Sequence, residues 1–151
     1  MCIFGNVSEI VTAFAAAFTA YIACGALKTA KEQIEASNRS QRESSAADIY
    51  SGYLKLAIEN PKESRRDKQA NDVPIDSPKY DAFVTYLLYS AEEILLLYPQ
   101  DEEWRNALKL DLRHHRDYYN SPAYKDDANS YIQELREIIE EIVQNKDEEG
   151  T

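Results

Sequence analysis

Cysteine is nearly absent from this chain. Its two cysteines, Cys2 and Cys24, both lie near the N-terminus. A disulfide framework and a cysteine-based metal site are therefore excluded from everything downstream. Glycine is scarce, at 4 residues, and proline stands at 5. No glycine-rich loop is present, and neither an internal repeat nor a convincing strand pattern is found. With Ala, Leu, Glu, Lys and Gln plentiful, this composition predicts an all-α chain. Basic residues are the minority, 17 against 27 acidic, for a net charge of −10. Lys28 to Lys68 is slightly basic, and the chain beyond Asn71 is strongly acidic. Broad nucleic-acid binding needs a basic surface to neutralise phosphates, so the distal part is unsuited to it.

What is present is one long uncharged run, Ile10 to Leu27. As a helix these 18 residues rise roughly 27 Å, against a bilayer core about 30 Å thick. No apolar run of this length recurs, so residues 1–27 are expected to form a transmembrane segment. Asn6 followed by Glu9 reads as a capped helix start. Lys28, Lys31, Arg39 and Arg42 follow the run, whereas its N-terminal flank has no Lys or Arg. The positive-inside rule then predicts a single-pass inner-membrane protein, N-terminus out and C-terminal domain cytoplasmic. A secretory signal wants a basic n-region, which is missing. A lipobox at Cys24 would want Leu where Tyr21 stands. The competing reading is a buried helix of a wholly soluble interaction domain, because seven of the eighteen residues are Ala. Thr12, Ala16, Ala20 and Cys24 share one face at four-residue spacing, with Phe14, Phe18 and Tyr21 or Ile22 on another. Small faces let membrane helices approach closely, so a homo-oligomer joined through those four residues is expected.

Residues 28–45 read as a polar juxtamembrane stalk, 46–146 as a cytosolic antiparallel bundle of about four helices, and 147–151 as a disordered tail. The first bundle helix spans Ala46–Asn60, with Ile49, Tyr50, Tyr53, Leu54, Ala57 and Ile58 at helical spacing, stopped by Pro61. Lys62 to Asp76 is a predicted loop, and its Arg65-Arg66-Asp67-Lys68 run reads as solvated surface. Ser77-Pro78 starts the next helix. Its stripe of Tyr80, Phe83, Val84, Leu87, Ala91, Ile94, Leu95 and Tyr98 is the best in the chain, widened by Leu88 and Leu96. Asp101 caps a third helix through Trp104, Leu108, Leu112, His115 and Tyr119. Ser121-Pro122 starts a last one through Tyr124, Ala128, Tyr131, Ile132, Leu135, Ile138, Ile139, Ile142 and Val143.

The densest polar cluster runs from Arg113 to Ser121. His115-Arg116-Asp117 spells a kinase catalytic triplet by chance: the chain is too short and Asn120 follows Asp117 too soon. Arg105 precedes its first histidine, His114, by too long a spacing for the Arg–His pair of a helical ribonuclease. Adjacent His114 and His115 diverge by about 100° on a helix and do not share a metal. Catalytic residues, metal ligands and cofactors are accordingly not assigned. Arg113, His115, Arg116, Tyr118, Tyr119 and Glu92 form the candidate ligand-binding set, since a tyrosine-lined pocket beside arginines suits a planar anionic ligand. One of Glu92 and Glu93, which diverge on a helix, is also expected to pair with Arg105, Arg113 or His115. A membrane-tethered enzyme using His115, Glu92 and neighbouring Arg or Tyr side chains is the alternative.

Tyr53-Leu54-Lys55-Leu56-Ala57-Ile58-Glu59-Asn60-Pro61, Glu92-Glu93-Ile94, Trp104 with Leu108, and His115 through Pro122 resemble pieces of a broad set of small bacterial membrane proteins. These have one membrane helix, a polar helical stalk and a cytosolic helical domain. The expected function is a non-enzymatic interaction or sensing module that partners the bilayer, its own copies, and a protein or small anionic ligand. Some proteins of this layout act in phage defence as oligomeric pores or second-messenger-triggered effectors, and an oligomeric effector in bacterial stress or phage defence is the expectation here.

Overall fold

The computed structural model describes residues 4–66 and 73–144, with side-chain surroundings given from residue 12 onward. Among the described residues there are six α-helices and no strand: α1 (Phe4–Glu59), α2 (Pro61–Ser64), α3 (Pro78–Leu97), α4 (Glu102–Leu112), α5 (Pro122–Asp127) and α6 (Gln133–Gln144). The chain divides into two units, Met1–Glu43 and Ser44–Thr151. Ile10, Val11, Asp67, Lys68 and the tail 147–151 lie outside the residues whose side chains are described.

In the first unit, α1 begins at Phe4, so Asn6 falls inside the helix rather than capping it. Residues 12–43 are all exposed. Thr19 Oγ1 donates to the Ala15 carbonyl at 2.8 Å, and Thr29 Oγ1 to Gly25 at 3.1 Å. These bonds keep both hydroxyls satisfied without a solvent partner.

In the second unit the core is built on α3. Tyr80, Phe83, Val84, Leu87, Leu88, Ala91, Ile94 and Leu95 are buried, as the stripe predicts. Leu96, expected to widen that stripe, is exposed. Against α3 lie Leu108 and Leu112 of α4 and Leu135, Ile138, Ile139 and Ile142 of α6. The end of α1 contributes Ala46 and Tyr53, with Ile49, Tyr50, Leu56 and Ala57 partly buried. Leu54 and Ile58 lie outside the core, which shifts its face from the one their spacing predicts.

Helix boundaries follow local chemistry. Asp101 caps α4 as expected, its Oδ1 accepting from the Glu103 and Trp104 N–H groups, each at 3.0 Å. Ser121 Oγ accepts from Tyr124 N ahead of Pro122. Ser77 precedes Pro78 in extended backbone but makes no side-chain cap bond. Gln100, between α3 and α4, holds a left-handed φ of 63°; a non-glycine residue costs about 1 kcal/mol there.

Two expected helices break. The third stops at Leu112 and continues as 3₁₀ turns at Arg113–His115 and Tyr118–Asn120. Tyr119 Oη donates to the Leu112 carbonyl at 2.9 Å, taking up an acceptor that a helix end leaves open. The last expected helix divides into α5, a 3₁₀ turn at Ala128–Ser130, an extended Tyr131, and α6. Glu92 Oε1 accepts the Ile132 N–H at 2.7 Å, so α3 supplies a partner for the backbone where α6 starts.

The charge run also departs from expectation. Arg65 is exposed, but Arg66 is only 7 % exposed. Its Nε donates to the Val73 carbonyl at 3.0 Å and its Nη1 to Asp117 Oδ2 at 3.1 Å. Its guanidinium sits 5.4 Å from the Tyr80 ring centroid. Burial of a cation is tolerated because its donors and its positive face are used.

Candidate functional site

Among the described residues, the large apolar side chains between Phe14 and Ile34 are exposed. Phe14 is 73 % exposed, Phe18 66 %, Tyr21 78 % and Leu27 73 %. A helix segment of a soluble core would bury such residues at a gain of about 1.5–3 kcal/mol each. α1 is the one helix among the described residues long and apolar enough to cross a membrane, and it lies near the N-terminus. Thr12, Ala16, Ala20 and Cys24 are exposed together, and Cys24 is a free thiol.

The residues expected to gather around a ligand are divided between core and surface. His115 is 1 % exposed. Its Nδ1 lies 2.9 Å from Tyr80 Oη, and its ring is 5.7 Å from those of both Tyr80 and Phe83. Tyr118 donates to Asp81 Oδ1 at 2.5 Å, and Tyr119 is tied to Leu112. Burial raises both phenols above their ordinary range, with the Asp81 contact adding to the effect on Tyr118. Arg113 is exposed and Arg116 half-buried. Glu92, one of the two acids considered for a pair with Arg105, Arg113 or His115, accepts the Ile132 N–H. Arg105 and Lys109 both reach Glu141, at 2.5 and 2.6 Å.

Two cavities in the second unit bring other residues together. One, of about 270 Å³, lies between Tyr53, Ala57, Pro61, Arg65, Asp111 and His114. Asp111 there accepts from Tyr50 Oη at 2.9 Å. Burial raises the Asp111 carboxyl and, with the Asp111 contact, pushes Tyr50 up to about 12. The other, of about 300 Å³, has Tyr119 and Tyr124 on one side and Arg136, Ile139 and Glu140 of α6 on the other. Tyr119 is the member of the expected set that lines it. Arg136 lies off the apolar stripe of an acidic helix, so helical spacing does not mark it. Among the described residues no cluster of His, Cys, Asp and Glu is arranged to hold a metal ion.

No family model, curated protein or solved structure matches this chain.

Proposed function

We propose that the protein is a membrane-anchored helical interaction module that works by binding and self-association rather than by catalysis. Residues 1–27 cross the inner membrane once, N-terminus out, and the small face of Thr12, Ala16, Ala20 and Cys24 joins copies of the helix. The domain from residue 46 onward is a cytoplasmic antiparallel bundle that receives a protein or small anionic ligand. Residues 28–45 couple that event to the membrane helices. The resemblance in layout favours an oligomeric effector in bacterial stress or phage defence.

The observation that carries this reading is the exposed apolar surface of α1 between Phe14 and Leu27. The run of cations that follows it favours the stated orientation. A tethered enzyme has less support, because His115 is enclosed by Tyr80 and Phe83 and Glu92 is committed to the backbone at Ile132. The test is an alkaline-carbonate wash of membranes from cells expressing the full chain. Retention in the washed pellet is expected. Release into the supernatant would make Ile10 to Leu27 a packing helix for a soluble partner.

A further inference from the structure

We propose that the cavity between Tyr119–Asn129 and α6 binds a small planar aromatic monoanion, with Arg136 as its charge partner. At about 300 Å³ it stands at the lower end of the range for small-molecule sites. This volume suits a single substituted ring. The proposal is independent of whether α1 crosses a membrane.

The state of Arg136 carries the inference. Its Nε is buried and has no hydrogen-bond partner among the described residues. It forms no ion pair among them either, although Glu140 stands one turn further along α6. Arg66 and Arg105, by contrast, are committed to Asp117 and Glu141. An N–H withdrawn from water without an acceptor is unfavourable. A guanidinium offers a planar fork that matches a carboxylate in two parallel hydrogen bonds.

The walls add shape and polarity. Tyr119 and Tyr124 pack edge to face with centroids 5.3 Å apart, and Tyr124 stacks on Tyr131 at 6.2 Å and 10°. The two rings are thus held as a fixed aromatic surface, which favours a flat ligand. The Tyr119 hydroxyl donates to Leu112, which leaves Arg136, Asn120, Asn129, Glu140, Gln144 and the Tyr124 hydroxyl as the polar lining. Glu140 repels a second negative charge and accepts from ring N–H groups. One anionic group on a nitrogen heterocycle satisfies both ends.

Isothermal titration of the full chain in uncharged detergent tests this with orotate as probe and cyclohexanecarboxylate as a non-planar carboxylate control. Saturable orotate binding is expected, with the control weaker. Arg136→Met should weaken orotate by about tenfold or more. Ala128→Leu, which fills the cavity without touching the charge, should also weaken it. Absence of saturable orotate binding to the wild type would overturn the proposal. So would equal affinity for the two probes, or wild-type affinity in both variants. Should one variant unfold, as read by Trp104 fluorescence, the other variant and the two-probe comparison still decide.

Discussion

Replacing Phe18 by Arg tests what the exposed helix is for. Phe18 lies near the middle of the uncharged run and is 66 % exposed. On an insertion scale each strong apolar residue contributes about −0.3 to −0.6 kcal/mol. Ile10, Val11, Phe14, Phe18, Ile22 and Leu27 therefore total about −3 kcal/mol, with the alanines close to neutral. A central Arg costs about 2.5–3.5 kcal/mol and also removes the Phe contribution. The segment then has no net preference for the bilayer. The assay is carbonate extraction followed by quantitative immunoblotting. Wild type and Phe18→Leu should remain in the membrane pellet, while Phe18→Arg should move largely to the supernatant. Residues 12–43 are all exposed, so Trp104 fluorescence should report an unchanged melting transition for the released variant. Retention of Phe18→Arg at the wild-type level would refute the insertion reasoning. Collapse of the Trp104 transition would show instead that Phe18 packs against protein.

Three further outcomes follow from named contacts. Ala16→Leu with Ala20→Leu should lower the oligomer mass measured by light scattering in detergent, because bulk on the small face keeps helices apart; an unchanged mass would sink the small-face interface. Arg66→Met strands the Val73 carbonyl and removes the cation over Tyr80, for a loss of about 2–4 kcal/mol. A Trp104 melt should fall by at least about 8 °C, whereas Asp117→Asn alone should cost under about 1 kcal/mol because Asp117 is largely solvated. Glu141 is held below the ordinary carboxylate value, first by the hydrogen bond from Lys109 and then by Arg105. A depressed acid stabilises the fold above its unfolded value and loses that contribution as pH falls through its folded one. Glu141→Gln should therefore destabilise by under about 1 kcal/mol at neutral pH, given its exposure. That difference from wild type should shrink as denaturation is followed below pH 4.5, the ordinary value for this group; a constant difference would contradict the pairing.

Much of the helical plan is legible in the chain itself. The stripe from Tyr80 to Leu95 specifies a buried helix because its period matches the helical turn, and Asp101 marks a boundary because its carboxylate reaches N–H groups two and three residues ahead. Composition alone also sets the all-α class and isolates the uncharged run. The breaks after Leu112 and at Tyr131 were hidden, because 3₁₀ turns keep apolar residues near helical spacing and the periodic pattern runs through them. The bonds at those breaks are made by side chains beyond the helix itself: the Tyr119 hydroxyl turns back seven residues onto Leu112, and Glu92 reaches Ile132, where α6 starts, across 40 positions of sequence. Arg66 shows the same limit. Within a charged run it reads as surface, and only the approach of Val73, Tyr80 and Asp117 makes its burial tolerable. Arg136 is the converse case, an arginine off the apolar stripe whose Nε is buried beside the cavity that Tyr119 and Tyr124 also line. Local chemistry along the chain thus determined where α3, α4 and α5 start and which face of α3 is apolar. Which polar groups are buried, partnered or left without an acceptor was decided by contacts between distant segments, because desolvation depends on everything that surrounds a group and not on its sequence neighbours.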